Sequence, residues 1–129
     1  MSHPNDRRYT KDHEWARTEG DLVVIGITQY AQESLGDIVF AELPKVGTAL
    51  AAGQTFGVVE STKAVSDLFA PVSGTVAASN DAVVSSPDSV NADPHGAAWL
   101  VKVKPSNAAE YESLMTAEQY AAYLRESGH

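Results

Sequence analysis

The sequence predicts a mainly β protein: a flattened β-sandwich or barrel of two quasi-symmetric halves, with a short helix after the first strands and short C-terminal helices. Three observations predict this fold. Short β-branched and aromatic runs, bounded by Gly, Pro, Asn and Asp, recur along the 129-residue chain. A segment containing Pro and Gly-Thr repeats within the chain, and the apolar spacing becomes helical only towards the C-terminus.

The strands are predicted where short runs of apolar residues occur. Such runs lie at residues 22–27, 38–43 and 99–104 and on both sides of Lys63. Between the first two strands, the Thr28 hydroxyl can accept a hydrogen bond from a free N–H group of a first helical turn. We therefore predict a helix over residues 29–35, which Gly36 would end.

Two N-cap signals predict helices in a C-terminal segment of about residues 107–126. Asn107 is followed three residues later by Glu110, and Thr116 by Gln119, as in a capping box. The apolar residues of this segment have helical spacing: Tyr111, Leu114, Tyr120, Tyr123 and Leu124.

The chain is predicted to form one domain over residues 1–129, because its length suits one core. We expect the C-terminal helices to pack on a sheet core of about residues 9–104. Residues 85–96 are rich in Pro, Asp, Ser and Gly and are predicted to form a long loop.

The composition argues against several classes of function. Nine Lys and Arg against seventeen Asp and Glu give a formal charge of −8, which disfavours nucleic acid or an anionic membrane as the main partner and favours cationic protein surfaces. No apolar run is long enough to cross a bilayer, and the chain has no cysteine for disulfide or thiolate chemistry. The four histidines are scattered, so no metal site is predicted.

An internal repeat divides the β region into two halves. Residues 44–54 align with residues 71–81, so that a Pro and a Gly-Thr pair recur after 27 positions, from Pro44 to Pro71. Two such units can bury their apolar faces only against each other, which favours the sandwich or barrel. Lys63 falls between the repeated segments, and we expect it on the tip of a hairpin that joins the halves.

Lys63 is unusual for a hairpin tip. Tight two-residue turns favour Asn-Gly or Asp-Gly, and the β-branched Thr62 beside it resists the positive φ that they need. Lys63 is also the only Lys or Arg between Val46 and Val101. An exposed tip lacks the desolvation that a Schiff-base lysine requires, but it gives a modifying enzyme access to a long side chain. Lys63 is therefore predicted to carry a covalent cofactor, with an ordinary solvated lysine as the alternative.

These features resemble the biotinyl and lipoyl carrier domains, in which the modified lysine lies on such a hairpin between quasi-symmetric halves. Biotin members typically flank that lysine with methionine, whereas Thr62 and Ala64 flank Lys63, so lipoate is favoured. Within the lipoyl members, the chain resembles the H-protein family of the glycine cleavage system from Tyr9 to about Tyr120. The blocks that carry this resemblance are residues 9–15, 25–32, 35–40, 42–44, 57–63, 66–68, 70–74 and 90–94.

The resemblance implies a lipoyl hammerhead-type fold and a carrier with no catalytic activity of its own. A lipoate-attaching enzyme would join lipoate to Lys63, and the residues around this attachment point are Glu60, Ser61, Thr62 and Ala64. The arm would take an aminomethyl group from the pyridoxal-phosphate enzyme glycine decarboxylase and present it to the tetrahydrofolate-dependent aminomethyltransferase. Dihydrolipoyl dehydrogenase, an FAD enzyme, would reoxidise the arm. The carrier is expected to be a monomer.

The resemblance also implies a surface cleft that shelters the loaded arm. Glu14 and Asp67 are the candidates for holding its cationic amine, because carboxylates favour the ammonium form and oppose loss of the amine. The other predicted cleft residues are Asp12, Ile27, Ala31, Ser34 and Leu35. Asp12 and Ser34 stand where other members often carry a small polar residue and a histidine, so an extra acid at position 12 could tighten the hold. For Glu14 and Asp67, a structural acid at a strand edge or turn is the alternative.

Other functions stay open at this level. The same fold could serve as a biotin carrier or as a general lipoyl or octanoyl relay, and Lys63 could be unmodified in an acidic interaction module. The first residues lack the apolar region of a signal peptide and the Arg- and Ser-rich character of a transit peptide. A bacterial cytoplasm is therefore the expected location, with a mitochondrion expected only for a processed chain.

Overall fold

The structure is a computed structural model that describes residues 3–126. The strands in this range are β1 (Arg8–Tyr9), β2 (Glu14–Glu19), β3 (Leu22–Ile27), β4 (Ile38–Glu42), β5 (Ala49–Leu50), β6 (Thr55–Ser61), β7 (Val65–Phe69), β8 (Gly74–Ser79) and β9 (Val101–Pro105). The helices are α1 (Gln29–Leu35), α2 (Asp81–Ser85), α3 (Ser89–Ala92), α4 (Ala108–Glu112) and α5 (Ala117–Glu126). Within residues 3–126, no helix has the length and apolar character needed to span a membrane.

The strands form two antiparallel sheets that share one aliphatic core. The larger sheet has the order β1-β2-β3-β9-β8-β5, and the smaller has the order β4-β6-β7. Ile25 and Val103 of the larger sheet and Val59 and Leu68 of the smaller belong to the same buried cluster. The structure confirms the mainly β sandwich that the sequence predicts.

The two repeated segments are neighbours in the larger sheet. β5 pairs with β8, so that Ala49 lies opposite Thr75 and Leu50 lies opposite Gly74. The segment between the two repeats forms the β6–β7 hairpin. The pairing of β5 with β8 brings the two ends of this segment together. The repeat therefore closes the base of the hairpin that carries Lys63.

A second cluster, partly aromatic, joins the two ends of the described chain. The rings of Tyr9 and Tyr120 are stacked with 4.8 Å between their centroids, and Trp15 is fully buried in the same cluster. Tyr9 and Met115 also exchange two backbone hydrogen bonds. Helix α5 is thereby fixed against β1 and β2, as the prediction of C-terminal helices on a sheet core requires.

Helix α1 begins and ends at the predicted residues. The Thr28 hydroxyl accepts a hydrogen bond from the Ala31 N–H group, and the Gly36 N–H group donates to the Gln32 carbonyl. Gly36 has φ of 83°, in the region that favours glycine. The chain can therefore leave α1 and enter β4 within two residues.

Two predicted elements require correction. Residues 85–96 are not a continuous loop, because α2 ends in this segment and α3 forms within it. Val83 and Val90 are fully buried, and this burial outweighs the polar, proline-containing composition. The last strand begins two residues later than predicted, since Trp99 is held in a turn by its N–H bond to the Gly96 carbonyl.

The two C-terminal cap signals differ in outcome. Thr116 and Gln119 form the predicted capping box, with the backbone N–H of each bonded to the side chain of the other. Asn107 caps α4, but Glu110 does not complete a box with it. The Glu110 carboxylate instead accepts from the N–H and hydroxyl of Ser73, which ties α4 to the turn before β8.

Gly26 marks a close approach between β3 and a side chain of β2. A Cβ built on Gly26 would lie 2.5 Å from the Trp15 ring, whose indole N–H donates to the Pro94 carbonyl.

We expect Gly26→Ala to lower the free energy of unfolding by about 1–3 kcal/mol, as overpacked cores usually show. Urea unfolding should detect this loss and show a smaller one in a Trp15→Phe background, because phenylalanine lacks the clashing indole atoms. Equal losses in the two backgrounds would contradict this explanation.

Candidate functional site

The tip of the β6–β7 hairpin runs from Ser61 to Ala64 and contains Lys63. The Ser61 hydroxyl oxygen accepts hydrogen bonds from the N–H groups of Lys63 at 3.2 Å and Ala64 at 3.0 Å. The Ser61 N–H group donates to the Ala64 carbonyl at 2.8 Å. Neither Thr62 nor Lys63 has a positive φ. Lys63 thus lies in an unstrained wider turn, which removes the conflict with the rules for two-residue hairpins.

The tip rests on the connection between α1 and β4. The Thr62 N–H group donates to the Asp37 carbonyl at 3.2 Å. The Lys63 side chain extends over Gly36, where its Cε lies 3.5 Å and its Nζ 4.0 Å from the position of a Cβ. Lys63 and Ala64 are exposed. The lysine is therefore open to solvent while the backbone of the tip is bonded to the α1–β4 connection.

Asn91 of α3 holds this connection from behind. Its Nδ2 donates to the Gly36 carbonyl and to Gln32 Oε1, both at 2.8 Å, and its Oδ1 accepts from the Ile38 N–H group at 2.8 Å. Asn91 lies in one of the sequence blocks described above, yet no role could be assigned to it. Its partners are 53 to 59 residues away in sequence, and no local pattern indicates such contacts.

Glu14 is a buried acid, with 1% of its surface exposed. Its Oε1 accepts from the Thr10 hydroxyl at 2.8 Å, and its Oε2 accepts from the Phe69 N–H group at 3.1 Å. Because β7 is an edge strand of the smaller sheet, the second bond satisfies a donor that no strand pairs. The Thr10 hydroxyl is itself fixed, since its oxygen accepts from the N–H groups of Asp12 and Glu14 at 3.2 Å.

Burial raises the pKa of Glu14 from its ordinary value of 4.5 to about 8. The hydrogen bonds from Phe69 and Thr10 oppose this rise because they favour the carboxylate, and the charge of Asp12 adds to it. Glu14 is therefore mostly protonated at neutral pH. An approaching cation would favour its ionisation.

The three predicted acids come from two segments that meet at the edge of β7. Asp12 is exposed in the turn before β2 and lies close enough to Glu14 to act on its charge. Asp67 is exposed on β7, two residues before Phe69, to which Glu14 is bonded. Glu14 also has a structural role, because its carboxylate accepts the Phe69 N–H group at the edge of β7.

The predicted apolar residues of the cleft differ in their exposure. Ile27 is 3% exposed and lies opposite Glu14 in the β2–β3 register, so its side chain belongs to the core. Ala31 and Leu35 are half-buried on α1 and pack against that core. Ser34 is exposed on the same helix. On helix α1, Ser34 is therefore exposed, whereas Ala31 and Leu35 are exposed only in part.

Strand β7 connects the two ends of the site. It begins at Val65, beside the tip that carries Lys63, and ends at Phe69, where Glu14 is bound. Four strand steps of roughly 3.3 Å separate these ends by about 13 Å. The exposed Asp67 lies midway. Lys63 thus lies just before this strand, the exposed Asp67 lies on it, and the buried Glu14 of β2 is bonded to its last residue.

Helix α1 runs in the opposite direction between the same two ends. Gly36, after its last turn, lies beneath the side chain of Lys63. Thr28, before its first turn, donates its N–H to the carbonyl of His13, the residue preceding Glu14. The helix and the strand together define a path from Lys63 to Glu14.

Two further side chains hold the first turn of α1. The hydroxyl of Tyr120 lies 2.9 Å from the Thr28 hydroxyl and 2.9 Å from His13 Nδ1. His95 Nε2 accepts from the Gln29 N–H group at 3.1 Å, and burial lowers the pKa of His95, which favours the neutral ring that can accept. The sequence predicts only packing for Tyr120 and indicates no role for His95.

The outer face of the smaller sheet carries Glu60 beside the tip. In the strand register, Glu60 lies between Phe40 and Val65, which are 43% and 67% exposed. A surface groove of about 540 Å³ begins at Phe40 and follows β4, the edge strand opposite β7. None of the predicted site residues lines this groove.

Comparison with known proteins finds one family. The family model described as glycine cleavage H-protein matches residues 7–127. A glycine cleavage system H protein from Myxococcus xanthus (strain DK1622) is 52% identical over 124 residues, which cover 96% of this chain and 96% of that protein. Its counterpart from Bacillus cytotoxicus is 57% identical over 121 residues, covering 94% and 95%. The crystal structure of a glycine cleavage system H protein from Mycobacterium marinum is similar with a TM-score of 0.86 and 44% identity, covering 98% of this chain and 100% of that one.

The buried Glu14 carboxyl predicts a pH dependence of stability. Because its pKa is about 8 in the folded protein and 4.5 ordinarily, the folded state keeps a proton that the unfolded state loses between these values. The free energy of unfolding should therefore fall between about pH 5 and pH 8, by at most about 1.4 kcal/mol per pH unit from this group. Glu14→Gln, neutral at every pH, should lack this contribution when urea unfolding is measured across the range. Parallel pH profiles for the two proteins would contradict the assignment.

Proposed function

Since the chain belongs to the glycine cleavage H-protein family, we propose that it is the lipoyl carrier of the glycine cleavage system, with lipoate in amide linkage to Lys63. The observation that carries the proposal is the presentation of Lys63 on an unstrained turn whose backbone is bonded to Asp37. Its exposed side chain suits a lipoate-attaching enzyme, which must reach the ε-amine. The residues that form the attachment point are Glu60, Ser61, Thr62 and Ala64.

When bound to Lys63, lipoate would supply a reducible disulfide, which suits it to carry an aminomethyl group between glycine decarboxylase and the tetrahydrofolate-dependent aminomethyltransferase and to be reoxidised at dihydrolipoyl dehydrogenase. In this scheme the chain carries the arm and leaves catalysis to these enzymes. Lys63 provides a stem that, with lipoate, reaches on the order of 14 Å from the backbone. Because the arm is tethered, its end would be present at a high effective concentration near the active site of any partner to which the carrier is docked.

The spacing of Lys63 and Glu14 supports a parked position for the arm. The reach of on the order of 14 Å from the Lys63 backbone is similar to the run of about 13 Å along β7 from Val65 to Phe69. An arm laid along this path would bring its far end to Glu14. Its stem would pass Asp67 and three residues of α1, the exposed Ser34 and the half-buried Ala31 and Leu35. The buried side chain of Ile27 would lie beneath this path, in the core.

We propose that Glu14 holds the cationic amine of the loaded arm. The carboxyl is mostly protonated when the arm is elsewhere, and pairing with an ammonium group would release its proton, because an opposite charge favours the carboxylate. Thr10 and Phe69 would keep that carboxylate oriented. Asp67 and Asp12 would add negative charge that opposes loss of the amine.

The charge of −8 supports repeated, weak docking to cationic surfaces of the partner enzymes rather than binding to nucleic acid or membranes. We propose that the protein acts as a monomer with one carrier domain. The relatives described above are bacterial, which supports a bacterial cytoplasm as its location.

Replacing Lys63 tests the attachment site. We expect intact-mass measurement of protein from a lipoylating cell to show a lipoyl increment that is absent in Lys63→Arg and present in Lys45→Arg, a control at another exposed lysine. With the three partner enzymes, Lys63→Arg should also abolish glycine-dependent exchange of labelled bicarbonate. A biotin increment, or a wild type that stays unmodified, would contradict the cofactor. A lipoylated wild type that supports no exchange would favour the relay function instead.

Removing the charge of Glu14 tests the amine site. We expect Glu14→Gln to shorten the lifetime of the isolated amine-loaded protein by roughly 10-fold or more, since a hydrogen bond to a charged group contributes about 1.5–3 kcal/mol. Mass spectrometry of the loaded protein over time measures this lifetime. Glu118→Gln, which neutralises an exposed acid of α5, serves as the control. An unchanged lifetime in Glu14→Gln would exclude Glu14 from this role.

A further inference from the structure

We propose that Asn91 is a positioning residue for Lys63: by tying the end of α1 to the start of β4, it holds the hairpin tip in the conformation that the lipoate-attaching enzyme modifies. This inference rests on the proposed function of Lys63. It extends that function to a residue whose side-chain hydrogen bonds go to Gln32, Gly36 and Ile38 and not to the turn itself.

A short series of hydrogen bonds connects Asn91 to the tip. Its side chain bonds the carbonyl of Gly36 and the N–H of Ile38, the residues on either side of Asp37. The Asp37 carbonyl in turn accepts the N–H of Thr62, at the tip. Asp37 is thus fixed on both sides, and the backbone bond that it accepts from Thr62 depends on its position.

The sheet reinforces the same contact. Ile38 lies opposite Ser61 in the β4–β6 register, and a register irregularity follows between Ile38 and Phe40. The Ser61 hydroxyl holds the turn that contains Lys63. A shift of Ile38 would therefore reach the turn through Ser61 as well as through Asp37.

The Asn91 side chain makes three hydrogen bonds at this place, and both of its donors are used. Both Nδ2 hydrogens and Oδ1 are bonded, and one partner, Gln32, is only 6% exposed. Gly36 has φ of 83°, so its carbonyl points away from the helical path and needs a donor from elsewhere. An aspartate at position 91 would keep the shape and the Oδ1 acceptor but lose both donors.

Asn80 offers a matched control. Its Nδ2 also donates to two carbonyls, those of Ala97 at 3.0 Å and Trp99 at 2.7 Å, and the residue is 8% exposed. Asn80→Asp therefore removes two donors from a buried amide and adds the same charge as Asn91→Asp. Its partners have no bond to the tip, so it reproduces the general loss of stability without the proposed effect on Lys63.

The experiment measures the rate of lipoate attachment to the unmodified full-length protein by a purified lipoate-attaching enzyme, with intact mass as readout. We expect Asn91→Asp to raise KM roughly 3- to 10-fold, the effect of about one neutral hydrogen bond, with kcat little changed. Amide hydrogen exchange at Thr62 should accelerate in the same variant. Asn80→Asp should give wild-type KM and wild-type exchange at Thr62, even if its thermal midpoint falls equally.

Several results would overturn the inference. A wild-type KM in folded Asn91→Asp would do so, and so would an equal rise of KM in Asn80→Asp. If Asn91→Asp does not fold, Gln32→Met replaces it, because this change removes one acceptor of Asn91 and should raise KM by a smaller factor; a wild-type KM in that variant would overturn the inference. A wild type that is never modified would overturn the proposed function as well, whereas a modified wild type with unaffected variants overturns this inference alone.

Discussion

Helix α1 is held at both ends by side chains from distant parts of the chain, and the relative positions of Lys63 and Glu14 depend on these contacts. Tyr120 and His95 bond its first turn, while Asn91 bonds its last residues and the connection to β4. These groups come from α5, from the segment after α3 and from α3 itself. The segments outside the two sheets thus have a definite role, which is to fix the helix beside the hairpin.

The burial of Glu14 links this framework to chemistry. A buried acid without a cation is favoured in its neutral form, which is why the pKa of Glu14 rises to about 8. The fold tolerates the group because Thr10 and the free edge of β7 provide two donors for it. A carboxyl in this condition can bind an ammonium group by losing a proton. An amine on a tether of suitable length would therefore meet a carboxyl group that is already oriented by two hydrogen bonds. Without the amine, this carboxyl group is not fully ionised at neutral pH.

The features governed by local rules could be predicted from sequence. Strand periodicity located β3 and β4, cap residues located α1, and the repeat located Lys63 on a hairpin tip; the family resemblance is confirmed by the match to residues 7–127. Features that depend on distant partners could not be predicted. Asn91 looks like an ordinary polar residue until the fold brings Gly36 and Ile38 beside it. α3 was missed because its buried valine outweighs a composition typical of loops. The roles of the cleft residues stay predictions.

The titration of Glu14 in the presence and absence of a loaded arm tests the central claim most directly. Carbon-13 NMR of the labelled carboxyl group can follow its ionisation in the lipoylated protein before and after it receives the amine. We predict a pKa near 8 without the amine and a clearly lower pKa with it, because the ammonium group would stabilise the carboxylate. An identical titration in both states would contradict the contact between Glu14 and the cargo of Lys63.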